Sequence, residues 1–563
     1  MFIKTVRAKG YEYIQLVESY RDGGTTKHRV LYNFGRRDLL ADDAMFKKIA
    51  LRLSEIAGQV PTSSKDELPE CSSAIPVNYG YLAYAKLWQQ LGISRSLVNL
   101  QEFTKQQFSL SETAMLMAVQ HLLSPRSKLG VYEHRYDYLG FEGIELQHLY
   151  RALDILADNK NALEQTLFNE NYVKAGQQLD VVFYDVTTFA FESVVADSLR
   201  DFGYSKDHKF GEVQVVMGLL IDSRGMPVGY ELFPGNTYEG DTLVKMVTKL
   251  KNRFGIRRVI FVADRGLNSK ANLKELHDAG YGYIVASRLK KQRKAILQQV
   301  FDTVGYIRGA GDSDEGFRYK IIDYENVVID AKKQRHLLQE NLVITYSERR
   351  AAKDRADRQR LIDKALRLEA NPSMVRASFK RGGRKYLRQV TSGRATYEID
   401  ATLIAKDEQY DGYYALQTSE LGMSVTELTE AYRMLWKIEE SFRLMKSTLE
   451  VRPVFHWTER RIKGHFVLCF LAFLLERAME LLLSDHQVED VSAQKIRDAL
   501  NSMQLLQFSL DGKDVYLRER HPALATRIFS LLKLPMPKNI STYRDLSRSL
   551  RNEASFNLQL SLD

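Results

Sequence analysis

Between Leu179 and Ala286 the chain changes its hydrophobic rhythm every few residues, and this alternation limits the folds open to it more than any other feature. Val181-Val182-Phe183-Tyr184 is a short apolar run of the kind buried in a sheet, and it ends at Asp185. Val213–Ile221 predicts a second strand, and the turn at Arg224-Gly225 leads to a third, Val228–Phe233. Gly240-Asp241-Thr242 caps a helix reaching about Phe254, with Leu243, Val247 and Leu250 on its inner face. Val259–Ala263 is another strand run, ending at Asp264; residues 269–279 follow as a helix and Tyr283–Ala286 as a fifth strand. The order β-β-β-α-β-α-β predicts a mixed α/β sheet.

The flanking segments read differently. Residues 1–36 predict strands, with Tyr13–Tyr20 and His28–Phe34 on either side of the turn signal Asp22-Gly23-Gly24, and a helix is expected over 41–58. Pro61 to Pro76, rich in Ser, Pro, Asp and Glu, predicts a linker. Residues 77–173 carry helical periodicities, as in Tyr81–Leu91, Ser111–Leu123 and Gln147–Asn171. Residues 290 to about 422 interrupt the α/β pattern with short strands, among them Tyr397–Ala405 and Gly412–Thr418, before a helix over about 425–450. The expected organisation is a β-hairpin and helix region (1–60), a helical domain (77–173), an α/β core (174–289 and 423–483) split by a β-rich basic insertion (290–422), and a mainly helical C-terminal region (484–563).

Composition narrows the class. Of the 563 residues 44% are hydrophobic and 27% charged, as in a folded soluble protein and unlike a disordered chain. The two cysteines, Cys71 and Cys469, cannot build a disulfide scaffold, which favours a reducing cytoplasm. Met1 to Tyr13 has no signal-peptide apolar stretch. The longest apolar run, Phe466 to Leu475, stops at Glu476 and Arg477, too short for a membrane and suited to a buried helix. Charge is concentrated: Arg349 to Arg394 holds fifteen Lys and Arg against four Asp and Glu, a local excess larger than the whole chain's +10. Such a block points to a polyanion, most plainly nucleic acid, although part of it would serve equally as the solvated face of a helix. Within it, Lys380, Arg381, Arg384 and Lys385 surround Gly382-Gly383, a composition suited to a hairpin tip approaching phosphates.

Three carboxylates stand where chemistry is usually placed. Asp185 and Asp264 each follow an apolar strand run, and the carboxyl ends of such strands are where α/β sheets bind ligands. A strand-terminating Asp that caps a turn is the plainer reading of either alone; both together favour a metal site of hard oxygen ligands, suited to Mg²⁺ or Mn²⁺. On the helix over 432–450, about 100° per residue puts Leu435, Ile438, Phe442, Met445 and Leu449 on one apolar stripe. Tyr432, Glu439, Arg443 and Lys446 form a second stripe beside it, whereas Glu440 points farther towards solvent.

These segments resemble a known family. Tyr184-Asp185-Val186-Thr187-Thr188, Val262-Ala263-Asp264-Arg265-Gly266 and the helix from Tyr432 to Lys446 are similar to the DDE transposases of bacterial insertion sequences, in the group with a Y-x₂-R-x₃-E-x₆-K helix after a β-rich insertion. Tyr432, Glu439 and Lys446 match that spacing; the motif's arginine position holds Leu435. The resemblance implies an RNase H-like core in which Asp185, Asp264 and Glu439 are catalytic and hold two Mg²⁺ ions, with Mn²⁺ as a substitute. It implies water-driven cutting at the element ends, then attack of the freed 3′-OH on target DNA. Tyr432, Arg443 and Lys446, together with Lys380, Arg381, Arg384 and Lys385, would bind DNA. The helical domain and the insertion would grip terminal inverted repeats. The expected partners are double-stranded DNA, as element ends and target, and a second protomer in a homodimer on DNA; no membrane is expected. The expected location is the bacterial cytoplasm, at the nucleoid when DNA-bound. Two other readings stay open: a non-catalytic DNA-binding descendant, and a metal nuclease of the same fold that never joins strands.

Overall fold

The computed structural model of the chain describes residues 2–546 except 9, 23–24, 44–45, 52–73, 105, 142, 177–178, 180, 192–194, 204–211, 238–247, 250–252, 255–259, 264–267, 310–316, 330–332, 371–374, 376–381, 391–396, 434, 436–439, 441, 444, 446–457 and 511–512. At the N-terminus β1 (Phe2–Ala8), β2 (Tyr11–Asp22) and β3 (Thr25–Arg36) form an antiparallel sheet in that order, with the turn between β2 and β3 where the sequence signal lies. The next helix starts before its expected place, as α1 (Arg37–Asp42); residues 46–51 are also helical, and 52–58 lie outside the described residues. Most of the expected linker lies outside them too, but Pro76 belongs to a strand, β4 (Ile75–Asn78). Proline is tolerated there because β4 is an edge strand.

Six helices follow: α2 (Leu82–Gln90), α3 (Ile93–Glu102), α4 (Leu110–Leu123), α5 (Lys128–Glu133), α6 (Leu146–Asp158) and α7 (Lys160–Phe168). The single helix expected over Gln147–Asn171 is divided. Asn159 ends α6, its Nδ2 donating to the Ile155 carbonyl at 2.9 Å, and a π-helical turn Asn169–Val173 follows α7.

The α/β pattern comes out as β5 (Val181–Ala190), β6 (Gln214–Asp222), β7 (Pro227–Pro234), β8 (Ile260–Ala263), α8 (Lys270–Asp278) and β9 (Gly282–Ala286). The helix expected to end near Phe254 lies largely outside the described residues. Strand β5 does not stop at Asp185: Val186 to Ala190 continue it, because these β-branched and aromatic residues pair with β6 as far as Ala190 opposite Gln214. The insertion contributes α9 (Lys294–Phe301), β10 (Ile307–Arg308), β11 (Arg318–Ile329), β12 (Arg335–Tyr346), α10 (Glu348–Glu369), β13 (Leu387–Gln389), β14 (Tyr397–Ile399), α11 (Ala401–Glu408) and β15 (Tyr413–Thr418). The strand expected over Tyr397–Ala405 is therefore mostly helix. Asp400 caps it, its carboxylate accepting from the Leu403 amide at 2.9 Å, and that cap outweighs the β-branched Thr402 and Ile404.

One nine-stranded sheet, ordered β10-β11-β12-β15-β9-β8-β5-β6-β7, joins the insertion to the core. Pairings β5–β8 and β8–β9 are parallel and the others antiparallel. At the junction the buried Glu340 accepts hydrogen bonds from Asn326 at 3.1 Å and from Tyr283 and Gln417, so the carboxylate is satisfied inside the sheet.

Beyond α12 (Val425–Arg433) the chain continues as α13 (Glu459–Asp485), α14 (Ala493–Asn501), β16 (Gln504–Leu510), β17 (Lys513–Arg518), α15 (Ala523–Leu531) and β18 (Ile540–Thr542). In the C-terminal region helices alternate with strands, and β18-β17-β16-β4 form a sheet that draws residue 75 against residue 507. Helix α13 is apolar all round and buried from Phe466 to Arg477, and it packs against α2, α4, α6 and β7. The helical region and the α/β sheet therefore share one core. Among the described residues no helix is long and apolar enough to cross a membrane.

Candidate active site

Parallel pairing sets β5, which holds Asp185, beside β8, which ends just before Asp264 in the chain. Parallel strands β5 and β8 pair Val181 with Ile260, Val182 with Phe261 and Phe183 with Val262. Asp185 is two residues beyond the last pair, opposite Leu219 of β6. Asp264 follows Ala263, the last residue of β8, and lies outside the described residues. On β5, Phe183 and Phe189 belong to the core shared with α13, and Tyr184 and Val186 to a second core on the opposite face. On β8, Ile260 and Val262 face the first core and Phe261 the second.

Helix α12 packs against β8 and β9, burying Val425 and Leu428. Residues 435, 440, 442 and 443 remain helical beyond it. Leu435, Phe442 and Met445 are buried in the same core as Phe183 and Val262, which is the apolar stripe expected of this helix. Arg443 is exposed. Glu439 and Lys446 lie outside the described residues, as do Lys380 and Arg381. Glu440 does not simply face solvent: its carboxylate lies 3.5 Å from the Arg477 guanidinium of α13, which also pairs with Glu480 at 2.5 Å.

Tyr432 is half-buried, and its hydroxyl accepts from the Tyr414 hydroxyl on β15 at 2.7 Å. The two rings are 5.6 Å apart, and the Arg350 guanidinium of α10 lies 4.4 Å from the Tyr414 ring centroid. Neither Tyr414 nor Arg350 stood out in the sequence. Tyr414 is one of 30 tyrosines, and Arg350 is one cation in a basic block; only the pairing of β12 with β15 brings them to the signature helix.

The Gly382-Gly383 segment leads into a 3₁₀ turn, Gly383–Tyr386, and then β13; residues 376–381 before it lie outside the described residues. Arg384 is half-buried there. The Lys385 ammonium donates to Asp407, as do the Lys290 ammonium and, at 3.0 Å, the Tyr386 hydroxyl. Despite partial burial these donors hold the Asp407 carboxyl down at about 2. Arg358 of α10 is likewise paired, with Asp411 and, at 3.2 Å, with Glu408. Part of the basic block thus fastens α10 and the turn to α11. Beside them lies a cavity of about 420 Å³ that Arg288, Lys290, Lys291, Arg350, Arg358 and Lys385 help to line.

Among the described residues no group of three or more His, Cys, Asp or Glu is arranged to hold a metal ion; the three carboxylates of interest are not all among them. Helix α4 is buried along nearly its whole length, so within residues 77–173 it offers little surface for DNA.

Comparison with known proteins bears on the whole arrangement. Residues 176–475 match the family described as Transposase DDE domain, and residues 3–65 match the IS1634 family transposase, N-terminal domain. No curated protein matches the chain. Among solved structures, a piggyBac transposase synaptic complex with hairpin DNA, seen by cryo-EM, covers 86% of this chain and 88% of its own at 9% identity. Its TM-score of 0.34 is too low to carry any part of the argument. The DDE match spans Asp185, Asp264 and the signature helix and more than half of the 563 residues, and with it the chain belongs to the DDE transposases of insertion sequences.

Proposed function

We propose that the protein binds the terminal inverted repeats of its insertion sequence and catalyses metal-dependent cleavage and transfer of DNA strands. One observation supports this reading: β5, which holds Asp185, pairs in parallel with β8, which ends at Ala263 immediately before Asp264 in the chain. The two-residue period of each strand supports placing both on the face of Phe183 and Val262, over which the signature helix packs. The strand order β7-β6-β5-β8-β9, antiparallel then parallel, supports an RNase H-like core.

The donor set fits a divalent cation: Asp185, Asp264 and Glu439 are three carboxylates on two strands and a helix, without thiol or imidazole, as Mg²⁺ or Mn²⁺ prefers. Two ions held there would supply Lewis acidity to the attacking and departing oxygens. The chain's own work is positioning. Tyr432, Arg443 and Lys446, on the stripe beside the buried one, hold the flanking phosphates so that the two oxygens lie in line. Lys380, Arg381 and Arg384 add phosphate contacts from the insertion, whereas Lys385, its ammonium taken up by Asp407, orients their turn. On this reading the protein works as a homodimer on DNA in the bacterial cytoplasm.

The experiment is Glu439→Gln. With DNA binding and melting temperature unchanged, the variant loses cleavage by about a thousandfold or more. Full activity in that variant rejects the assignment. The buried Leu435 at the motif's arginine position favours a second reading, a DNA-binding descendant without catalysis; strand cleavage by the unmutated protein excludes it.

A further inference from the structure

Arg350 differs from three acid-paired cations beside the 420 Å³ cavity, whose lining also includes Arg288 and Lys291. Lys290 and Lys385 donate to Asp407, and Arg358 to Asp411 and Glu408. Among the described residues Arg350 has only a loose ionic neighbour: its Nε lies 3.6 Å from Asp354 Oδ2, an oxygen that already accepts from the Gly412 amide at 3.1 Å. That Nε is buried and has no hydrogen-bond partner among the described residues. The guanidinium is nevertheless held in place. It lies 4.4 Å from the centroid of Tyr414, whose hydroxyl donates to Tyr432 at 2.7 Å. Its amide donates to the Ser347 cap, which fixes it in the first turn of α10, where the helix dipole adds positive potential.

The signature helix carries Leu435, buried, at the position where its motif has arginine. We propose that Arg350 binds a backbone phosphate of the DNA strand lying against Tyr432, supplying from the insertion the cation that position 435 lacks. A guanidinium suits this task because its planar fork meets two phosphate oxygens at once, and Tyr414 fixes the plane of that fork before DNA arrives. The insertion and the signature helix then engage one strand through a single chain of contacts, Arg350 to Tyr414 to Tyr432. The inference rests on the reading of the chain as a transposase that holds DNA at this helix.

The test separates the two. Binding of an end duplex is followed by fluorescence anisotropy against salt concentration, without divalent metal, for the unmutated protein, Arg350→Ala and Arg350→Lys, with melting temperatures alongside. Single phosphates of the duplex are then neutralised in turn as methylphosphonates. Arg350→Ala is expected to bind about tenfold more weakly, with a log–log salt slope smaller by about one, and Arg350→Lys to recover part of both. One methylphosphonate should weaken the unmutated protein and leave Arg350→Ala unaffected. An unchanged slope and an identical phosphate map in Arg350→Ala overturn the inference, even if the unmutated protein cleaves. Absence of metal-dependent cleavage by the unmutated protein overturns the functional reading instead, and the phosphate map still decides the role of Arg350.

Discussion

Glu476 interrupts the apolar run of α13 yet stays buried with it, accepting from the Tyr84 hydroxyl at 2.5 Å while its other oxygen has no hydrogen-bond partner among the described residues. Burial above all, with a smaller push from Glu480, raises its carboxyl to about 7, against the Tyr84 hydrogen bond and the pull of Arg497 and Arg477. A raised carboxyl binds its proton more tightly folded than unfolded, so stability falls as pH rises from about 4.5 to about 7 and levels off above. Glu476→Gln, which keeps the acceptor, is expected to remove that fall and to melt higher than the unmutated protein at pH 8. A parallel pair of melting curves across this range contradicts the assignment. Asp407 works in the opposite sense. Its carboxyl is held at about 2, below its ordinary value of about 4, so its contribution is complete above pH 4 and lost as pH falls through 2. Asp407→Asn should lower the melting temperature by a few degrees near neutral pH, a deficit that shrinks between pH 4 and pH 2. This pairing was not legible in the sequence, because Lys290 and Lys385 lie 117 and 22 residues from Asp407 and only folding makes them neighbours.

At the scale of elements, the strands and the signature helix were legible because burial repeats along them. The β5 and β8 runs are continuous, and the stripe of Leu435, Phe442 and Met445 is buried as its spacing requires. Misreadings arose where one polar residue carries two meanings. Asp185 resembles a strand terminator but stands within β5, and Asp400 looks like part of a strand but caps α11. Chain order also hid the union of insertion and core, since β15 returns to pair with both β12 and β9. The crossing of α6 and α13 yields a further prediction. A methyl group at Gly464 would meet the Leu153 carbonyl, a backbone atom that cannot swing away. Gly464→Ala should cost about 1–3 kcal/mol by forcing the helices apart, measurable by denaturant unfolding. An unchanged midpoint would mean that α13 can shift along α6 without loss.

Over the whole molecule, the ends of the described chain are fastened to each other and to the α/β core. Asn539 donates to the Phe34 carbonyl at 3.2 Å and accepts through its own carbonyl from Tyr32 at 3.2 Å, clasping the N-terminal sheet to β18 and its neighbours. Helix α13 passes through the middle, so the sheet bearing Asp185 and the helices around α4 fold as one body. That shared core suits the proposed site, whose carboxylates would come from segments up to about 250 residues apart, since phosphoryl transfer tolerates little misplacement of its ligands. Cleavage is the property that decides the proposed function. The most direct measurement incubates the purified protein with the DNA flanking its own gene and Mg²⁺ or Mn²⁺, beside an Asp264→Asn variant, and maps strand breaks. Metal-dependent breaks at inverted repeats are expected, absent from the variant although it still binds the DNA. Binding without breaks, alike for both proteins, would contradict the proposed function.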